Sequence, residues 1–271
     1  MNDPSPSARP HETWASGNAY EPYVGRWSRL VAREFLDWLA VAPGSRWLDV
    51  GCGTGALSQT ILHIAAPAQV KGIDRSDEQI TYAQAHVQDH RASFDVGDAQ
   101  ALPEQTALYD VAVSGLVLNF LPQPEQALCE MARVVRSGGI VAAYVWDYAG
   151  KMQLMRHFWD AAVALDPGAL DLDEGRRFPL CMPEPLRQLF MRAGLARVDV
   201  RAIDIATVFR DFDDYWSPFL GGQGPAPGYA MALSDERRAA LRERIGAGLP
   251  FALDGSIPLV ARAWAVRGVC R

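Results

Sequence analysis

Asp49, Gly51, Gly53 and Gly55 stand at alternate positions in the run Asp49-Val-Gly51-Cys52-Gly53-Thr-Gly55, which joins a carboxylate to main chain bare of Cβ atoms. Glycine accepts positive φ without steric penalty and lets a ligand lie close to the backbone, so the run suits a turn that seats a cofactor. Asp74 follows about 20 residues beyond the turn, where a carboxylate can accept both hydroxyls of a ribose. The same letters also satisfy G-x-G-x-x-A through Gly51, Gly53 and Ala56, the dinucleotide fingerprint. The turn alone therefore fits two kinds of cofactor.

The elements around these residues define where they sit. Arg46–Val50 has strand length after Pro43-Gly44, and Ala56–Ala65 reads as a helix closed by Pro67, so the glycines lie at a strand-to-helix turn. Upstream, Trp27, Leu30, Val31, Phe35, Trp38 and Leu39 recur at helical spacing and predict a helix over about 28–40. Downstream the pattern predicts a strand at 69–74, a helix at 77–88, strands at 92–96 and 109–114, a helix at 124–136 and a strand at 140–146. Ser76 and Gln79 stand at capping-box spacing, and Pro124 suits a first helical turn. Strands alternating with helices imply a parallel sheet covered on both faces.

The pattern then changes. An amphipathic helix over 151–165 ends at Asp166-Pro-Gly, and a charged loop follows through Asp171, Asp173, Glu174, Arg176 and Arg177. A helix over 183–193 stops at Gly194, a suitable C′ residue. Strands are expected at 198–205 and 257–266, separated by about 50 residues that carry Tyr215, Trp216 and a glycine- and proline-rich segment at 221–228, read as a lid loop.

Composition narrows the setting. At 271 residues and 49% hydrophobic the chain can bury a full core. It has no run of 18 apolar residues and no signal-peptide pattern, so a cytoplasmic protein without a membrane span is expected. A net charge of −6 and the lack of a basic stripe argue against a nucleic-acid partner. Cys52, Cys129, Cys181 and Cys270 show neither C-x-x-C nor a Cys/His cluster, so neither a metal site nor a disulfide framework is expected. Cys52 reads as a packing residue in the turn. Nothing in the sequence decides between a monomer and a homodimer.

In an open parallel sheet the ligand lies across the carboxyl ends of the strands. Those ends carry Asp49 and the glycines, then Asp74, Gly97-Asp98-Ala99, Ser114-Gly115-Leu116 and Trp146-Asp147-Tyr148. Over 46–146, in order, the chain resembles the class I S-adenosylmethionine-dependent methyltransferases, particularly the small-molecule branch that includes the quinone C-methyltransferases. Leu48 to Gly55 looks like that family's first motif, Gly72-Ile-Asp74-Arg75-Ser76 the second, Gly97 to Pro103 the third, and Tyr109-Asp-Val through Leu121-Pro122 the fourth. Arg133 to Gly139 resembles the approach to the fifth strand.

The resemblance implies a Rossmann-like, seven-stranded, mostly parallel α/β sheet of order 3-2-1-4-5-7-6, with the last strand antiparallel and helices on both faces. Residues 1–10, rich in Pro and Ser, are expected to be a disordered tail, followed by an N-terminal flap and helix at 11–42 and a methyltransferase domain at 43–271 with cap or lid insertions at about 147–182 and 207–256. The resemblance implies S-adenosyl-L-methionine as cofactor. Asp49 and the turn of Gly51, Cys52, Gly53 and Gly55 would hold its amino-acid end, and Asp74, with Arg75 beside it, would take the ribose hydroxyls. Asp98 would hold the adenine amine and the Ala99 N–H a ring nitrogen, while Ser114 and Leu116 would border the methionine arm. Relatives often carry His where this chain has Asn119, and Asn cannot titrate.

Methyl transfer from a sulfonium is an in-line displacement that needs placement more than a covalent residue or a metal. Tyr20, Tyr23, Asn119, Trp146, Asp147, Tyr148, His157 and Trp216 are the candidates for the acceptor pocket, and their aromatic character suits a planar or apolar small molecule. Two other readings share the turn: a nicotinamide-dependent oxidoreductase, and a non-catalytic ligand-binding protein on the same fold.

Overall fold

The structure is a computed structural model that describes residues 26–221 and 224–271; the expected tail at 1–10 and the candidates Tyr20 and Tyr23 lie outside the described residues. Helix α1 (Arg26–Leu39) leads into β1 (Arg46–Val50), α2 (Ala56–Ile64), β2 (Gln69–Asp74), α3 (Asp77–His86), β3 (Ala92–Val96) and β4 (Tyr109–Gly115). After β4 come α4 (Pro124–Val134), β5 (Val135–Trp146), α5 (Gln153–Leu165), α6 (Glu174–Arg177), α7 (Pro183–Arg192) and β6 (Ala196–Phe209). The chain ends with α8 (Phe212–Trp216), α9 (Pro225–Ala232), α10 (Asp235–Gly248) and β7 (Ile257–Val269).

The strands form one seven-stranded sheet in the order β3-β2-β1-β4-β5-β7-β6. Pairing is parallel from β3 to β5, and β7 runs antiparallel to both β5 and β6. Central strands such as Trp47-Leu-Asp-Val50 are buried on both faces, which is why they read as continuous apolar runs. Trp47, Val111, Val113, Tyr144 and Trp146 face the layer of α1, α2, α3 and α5. Leu48, Val50, Ala112, Val141 and Val145 face α4 and α7 through Leu128, Met131, Leu189 and Phe190.

Several elements depart from the sequence reading, among them β6, which is longer than the expected 198–205, and the helices α8 and α10 within the expected insertion. β5 starts at Val135, where a helix to Arg136 was expected, because Val135 pairs with Tyr109 before the register shifts. A Cβ on Gly139 would lie 2.6 Å from the Asp110 carbonyl oxygen, so only glycine lets the two strands run this close. The glycine- and proline-rich segment expected as a loop contributes α9: Pro225 and Pro227 occupy its first turn, where a missing N–H costs no helical bond. The charged loop after α5 is also ordered. Asp166 caps a 3-10 turn at Pro167–Leu172, and Asp173 caps α6 by accepting from Gly175 N at 2.8 Å. Among the described residues no helix is long and apolar enough to cross a membrane.

Candidate active site

β1 delivers Asp49 to a position 1% exposed. Its Oδ2 accepts from Ser58 Oγ of α2 at 2.7 Å, while its Oδ1 is buried without a partner among the described residues. Burial pushes this carboxyl up to about 7; the Ser58 hydrogen bonds oppose the shift and the charge of Asp74 adds to it. A buried carboxylate oxygen with no donor is a seat for a cation or an N–H.

The turn after Asp49 is held from β2. Gly51 N and Cys52 N donate to the Ile73 carbonyl at 2.7 and 3.1 Å, and Gly53 N donates to Asp74 Oδ2 at 3.0 Å. Asp74 Oδ1 accepts from Ser76 N at 2.9 Å, and Ser76 in turn caps α3 through Gln79 N. Gly51, Gly53 and Gly55 all have positive φ, at +73°, +51° and +84°. A Cβ on Gly51 would lie 2.6 Å from Val117 Cγ2, whereas one on Gly53 would meet nothing nearer than 4.0 Å. The turn is thus tight against the protein at Gly51 and open at Gly53, as a cradle for a ligand must be. The Cys52 thiol is buried against Gly72 and its pKa is pushed well up by that burial, which leaves it unreactive.

The neighbouring strand ends join this cradle. Gly97 N donates to the Asp74 carbonyl at 2.9 Å, which places Asp98 and the buried Ala99 next to β2; Asp98 is exposed and its Oδ1 accepts from Gln100 N. Arg75 is exposed beside Asp74. Ser114 is buried and donates to the Val50 carbonyl at 2.8 Å, tying the end of β4 to the end of β1. Leu116 adopts φ +65°, a left-handed conformation that costs a side chain about 1–2 kcal/mol. Strain of this kind concentrates at ligand sites.

Beyond Leu116, a 3-10 turn at Leu118–Phe120 carries Asn119, whose Oδ1 is buried without a partner among the described residues. Phe120 packs edge-on to Phe178 at 5.2 Å, and Phe178 lies 5.9 Å from Tyr148 at the end of β5. The segment between α5 and α7 therefore reaches over the ends of β4 and β5. Trp146 is 2% exposed, and its Nε1 is buried without a partner among the described residues. Asp147 accepts from Gly150 N at 2.9 Å and Lys151 N at 3.0 Å, so both of its oxygens shape the turn after β5.

Two candidates stand apart from this group. His157 lines a cleft with Arg244, Ala247 and Gly248 of α10, and burial lowers its pKa against the charge of Asp160. Trp216 is 5% exposed and packs 6.0 Å from Phe219, next to Tyr215, whose hydroxyl donates to the Leu154 carbonyl. Ser58, Phe120 and Phe178 were not singled out by the sequence. Neither was Glu174, which is 2% exposed, accepts from Trp159 Nε1, and is pushed up to about 8 by burial. Beside it Arg156 donates to Asp173 Oδ2 at 2.7 Å. Among the described residues no group of His, Cys, Asp and Glu could hold a metal ion.

Comparison with known proteins bears on the family and the fold. The methyltransferase domain family matches residues 48–143. A ubiquinone biosynthesis O-methyltransferase of Burkholderia pseudomallei (strain 1710b) is 30% identical over 199 residues, covering 71% of this chain and 82% of that one. An uncharacterized 37.1 kDa protein in transposon TN4556 of Streptomyces fradiae is 35% identical over 116 residues, but they are 41% of this chain and only 34% of that protein. Among solved structures, a Haemonchus contortus phosphoethanolamine N-methyltransferase 2 in complex with phosphomonomethylethanolamine and S-adenosylhomocysteine has a TM-score of 0.58 at 15% identity. It covers 94% of this chain and 57% of that one, a likeness of fold. Identity of 30% across most of a methyltransferase, on a sheet of order 3-2-1-4-5-7-6, settles the family: the chain belongs to the class I S-adenosylmethionine-dependent methyltransferases.

Proposed function

We propose that the protein methylates a small, planar or apolar molecule by direct in-line displacement, in the cytoplasm and without a nucleic-acid partner. The observation that carries this reading is the pairing of an open glycine cradle beside a buried, half-satisfied carboxylate with an aromatic cover over the next two strand ends.

The residues present suit the cofactor. Asp49 Oδ1 would receive the methionyl ammonium, and Gly53 would let the amino-acid end approach the main chain. Asp74 would accept the ribose hydroxyls with lone pairs not used by Gly53 N and Ser76 N, with Arg75 beside it. Asp98 would accept the adenine amine and the Ala99 N–H would donate to the ring. Ser114 and the strained Leu116 would border the methionine arm. When bound, S-adenosylmethionine supplies a methyl group already activated by the sulfonium.

The protein's own contribution is placement and exclusion of water. Phe120, Tyr148 and Phe178 would wall the acceptor, under cap segments at about 147–182 and 207–256. Asp147 is committed to backbone N–H groups and Asn119 cannot titrate, so neither is proposed as a base. The net charge of −6 supports a small neutral or cationic acceptor over a polyanion.

The test is incubation of the purified protein with S-adenosylmethionine and a panel of phenols, quinols and aromatic amines, with S-adenosylhomocysteine read by mass spectrometry. Product above the acceptor-free background supports the reading. Tight binding of NAD(H) with none of S-adenosylmethionine would overturn it. Tight binding of S-adenosylmethionine with turnover only on nucleic acid or protein would overturn the acceptor class.

A further inference from the structure

Asp49 apart, the most deeply buried carboxyl among the described residues is that of Glu174, 2% exposed at the start of α6. Its neighbour Asp173, 5% exposed, is matched by a charge, because Arg156 of α5 donates to its Oδ2 at 2.7 Å. Glu174 is matched instead by a neutral donor, Trp159 Nε1 on the same helix. A Cβ on Gly175 would lie 2.8 Å from both the Tyr148 carbonyl oxygen and Arg156 Nη1, so only glycine lets α6 rest on the turn after β5 with Glu174 carried inside. From there the chain runs through Phe178, packed on Phe120 and Tyr148, to the fully buried Cys181. The segment 173–181 is thus a strap, pinned by buried side chains at each end and laid over the ends of β4 and β5.

We infer that this strap stays closed only while Glu174 is uncharged and opens locally when its carboxyl ionises. The inference concerns the strap alone and holds whatever molecule is methylated. One hydrogen bond from an uncharged indole does not replace the water that a carboxylate loses on burial. The surrounding groups do not supply the missing charge. On α6 Asp173 adds a like charge, and Arg177, half-buried over the Phe178 ring, is the smallest of the influences on Glu174. On α5 Arg156 is engaged by Asp173 and reaches Asp160 at 3.9 Å, while His157 lines the cleft against α10. Asp166 accepts from Gly168 N, Asp147 from Gly150 N and Lys151 N, and Asp171 and Arg176 are exposed to solvent. The Cys181 thiol, pushed up to about 11 by burial, and Tyr229, 5.7 Å from the Trp159 ring and also raised by burial, stay neutral through the range. Burial therefore holds Glu174 at about 8 in the closed strap, against 4.5 for the same carboxyl in water. Closure is fully favoured below the lower value and lost as pH rises through the higher one, so the opening constant should grow about 70-fold from pH 5.5 to 7.5 and level off above 8.

The test is hydrogen exchange of the whole protein, read by mass spectrometry at pH 5.5, 6.5 and 7.5 and corrected for the intrinsic effect of pH on amide exchange. Arg177 N and Phe178 N, which bond to the Asp173 and Glu174 carbonyls, report the strap, and α4 reports the core. The strap amides should lose protection about 70-fold across that range while staying less protected than α4 throughout. Glu174→Gln keeps an acceptor for Trp159 Nε1 and has no proton to lose, so its strap should be as protected at pH 7.5 as at pH 5.5. Glu174→Met, uncharged and similar in size, should be equally flat, and circular dichroism reports that each variant is folded. A wild-type strap equally protected at the three pH values, or one whose loss persists in a folded variant, would overturn the inference. So would a strap that exchanges at one common rate with α4, because its opening would then be unfolding of the whole chain. The wild-type series decides by itself if neither variant folds.

Discussion

Cofactor binding should be coupled to the loss of a proton from Asp49. This carboxyl is 1% exposed, hydrogen-bonded among the described residues on one oxygen only, and raised to about 7, with burial as the main cause. The methionyl ammonium is matched by the carboxylate and not by the neutral acid, so acid conditions make binding wait on ionisation of Asp49. With a pKa of about 7, roughly three-quarters of the molecules carry the carboxylate at pH 7.5 and about 3% at pH 5.5, so the S-adenosylhomocysteine dissociation constant should rise about 25-fold across that range. Calorimetry at pH 7 in phosphate and in Tris, whose ionisation enthalpies differ, should report release of about half a proton per molecule bound. Asp49→Asn should bind weakly and show no such pH dependence. An affinity that is flat between pH 5.5 and 7.5 in the wild-type protein, with no difference between the buffers, would refute the reasoning.

Three further outcomes follow from the same geometry. Gly51→Ala forces a Cβ to within 2.6 Å of Val117 at φ +73°, and strain plus overpacking should cost about 2–4 kcal/mol, visible as a lowered melting temperature together with weakened S-adenosylhomocysteine binding. Glu174 in the folded protein keeps its proton up to about pH 8, whereas the unfolded chain releases it near 4.5, so stability should fall as pH rises through that window. Glu174→Gln keeps an acceptor for Trp159 Nε1 and should flatten the fall in thermal melts from pH 5 to 8; an unchanged slope counts against a buried neutral Glu174. The lowered carboxyls Asp110, Glu130 and Asp204 act in the opposite sense only below about pH 4.5, whereas inside the window His157, lowered by burial, opposes the fall and Asp49, raised by burial, adds to it, so Glu174→Gln should lessen the slope and not remove it. Asp74→Ala removes the carboxylate that would hold the ribose and should weaken S-adenosylhomocysteine roughly 10- to 150-fold by calorimetry, and an unchanged constant would remove Asp74 from the site.

The half of the chain proposed to seat the cofactor was legible because its signals are local. β1, β2 and β3 fall on the residues expected, and the capping bond from Gln79 N to Ser76 Oγ is present as the spacing implied. The strand order followed from the resemblance over 46–146 and matches the sheet observed. What the sequence hid depends on contacts between distant segments. Val135 joins β5 because Tyr109 lies beside it, against a helical pattern that continues to Arg136. Leu116 takes a left-handed backbone that no local preference favours, held by its N–H bond to the Tyr144 carbonyl. Glu174 sits in a run of charges that reads as solvated surface, yet Trp159 from α5 covers it. Phe178 lies in the same run and had no period to reveal it. Ser58 is one helical position among many until the fold puts it 2.7 Å from Asp49.

The site itself is tested most directly by a crystal structure of the protein with S-adenosylhomocysteine. The account predicts the amino group on Asp49 Oδ1, the ribose hydroxyls on Asp74, adenine beside Asp98 and Ala99, and the sulfur facing the space bordered by Asn119, Phe120 and Tyr148. A cofactor bound away from the Gly51–Gly55 turn, or one whose sulfur faces a side other than the ends of β4 and β5, would contradict it.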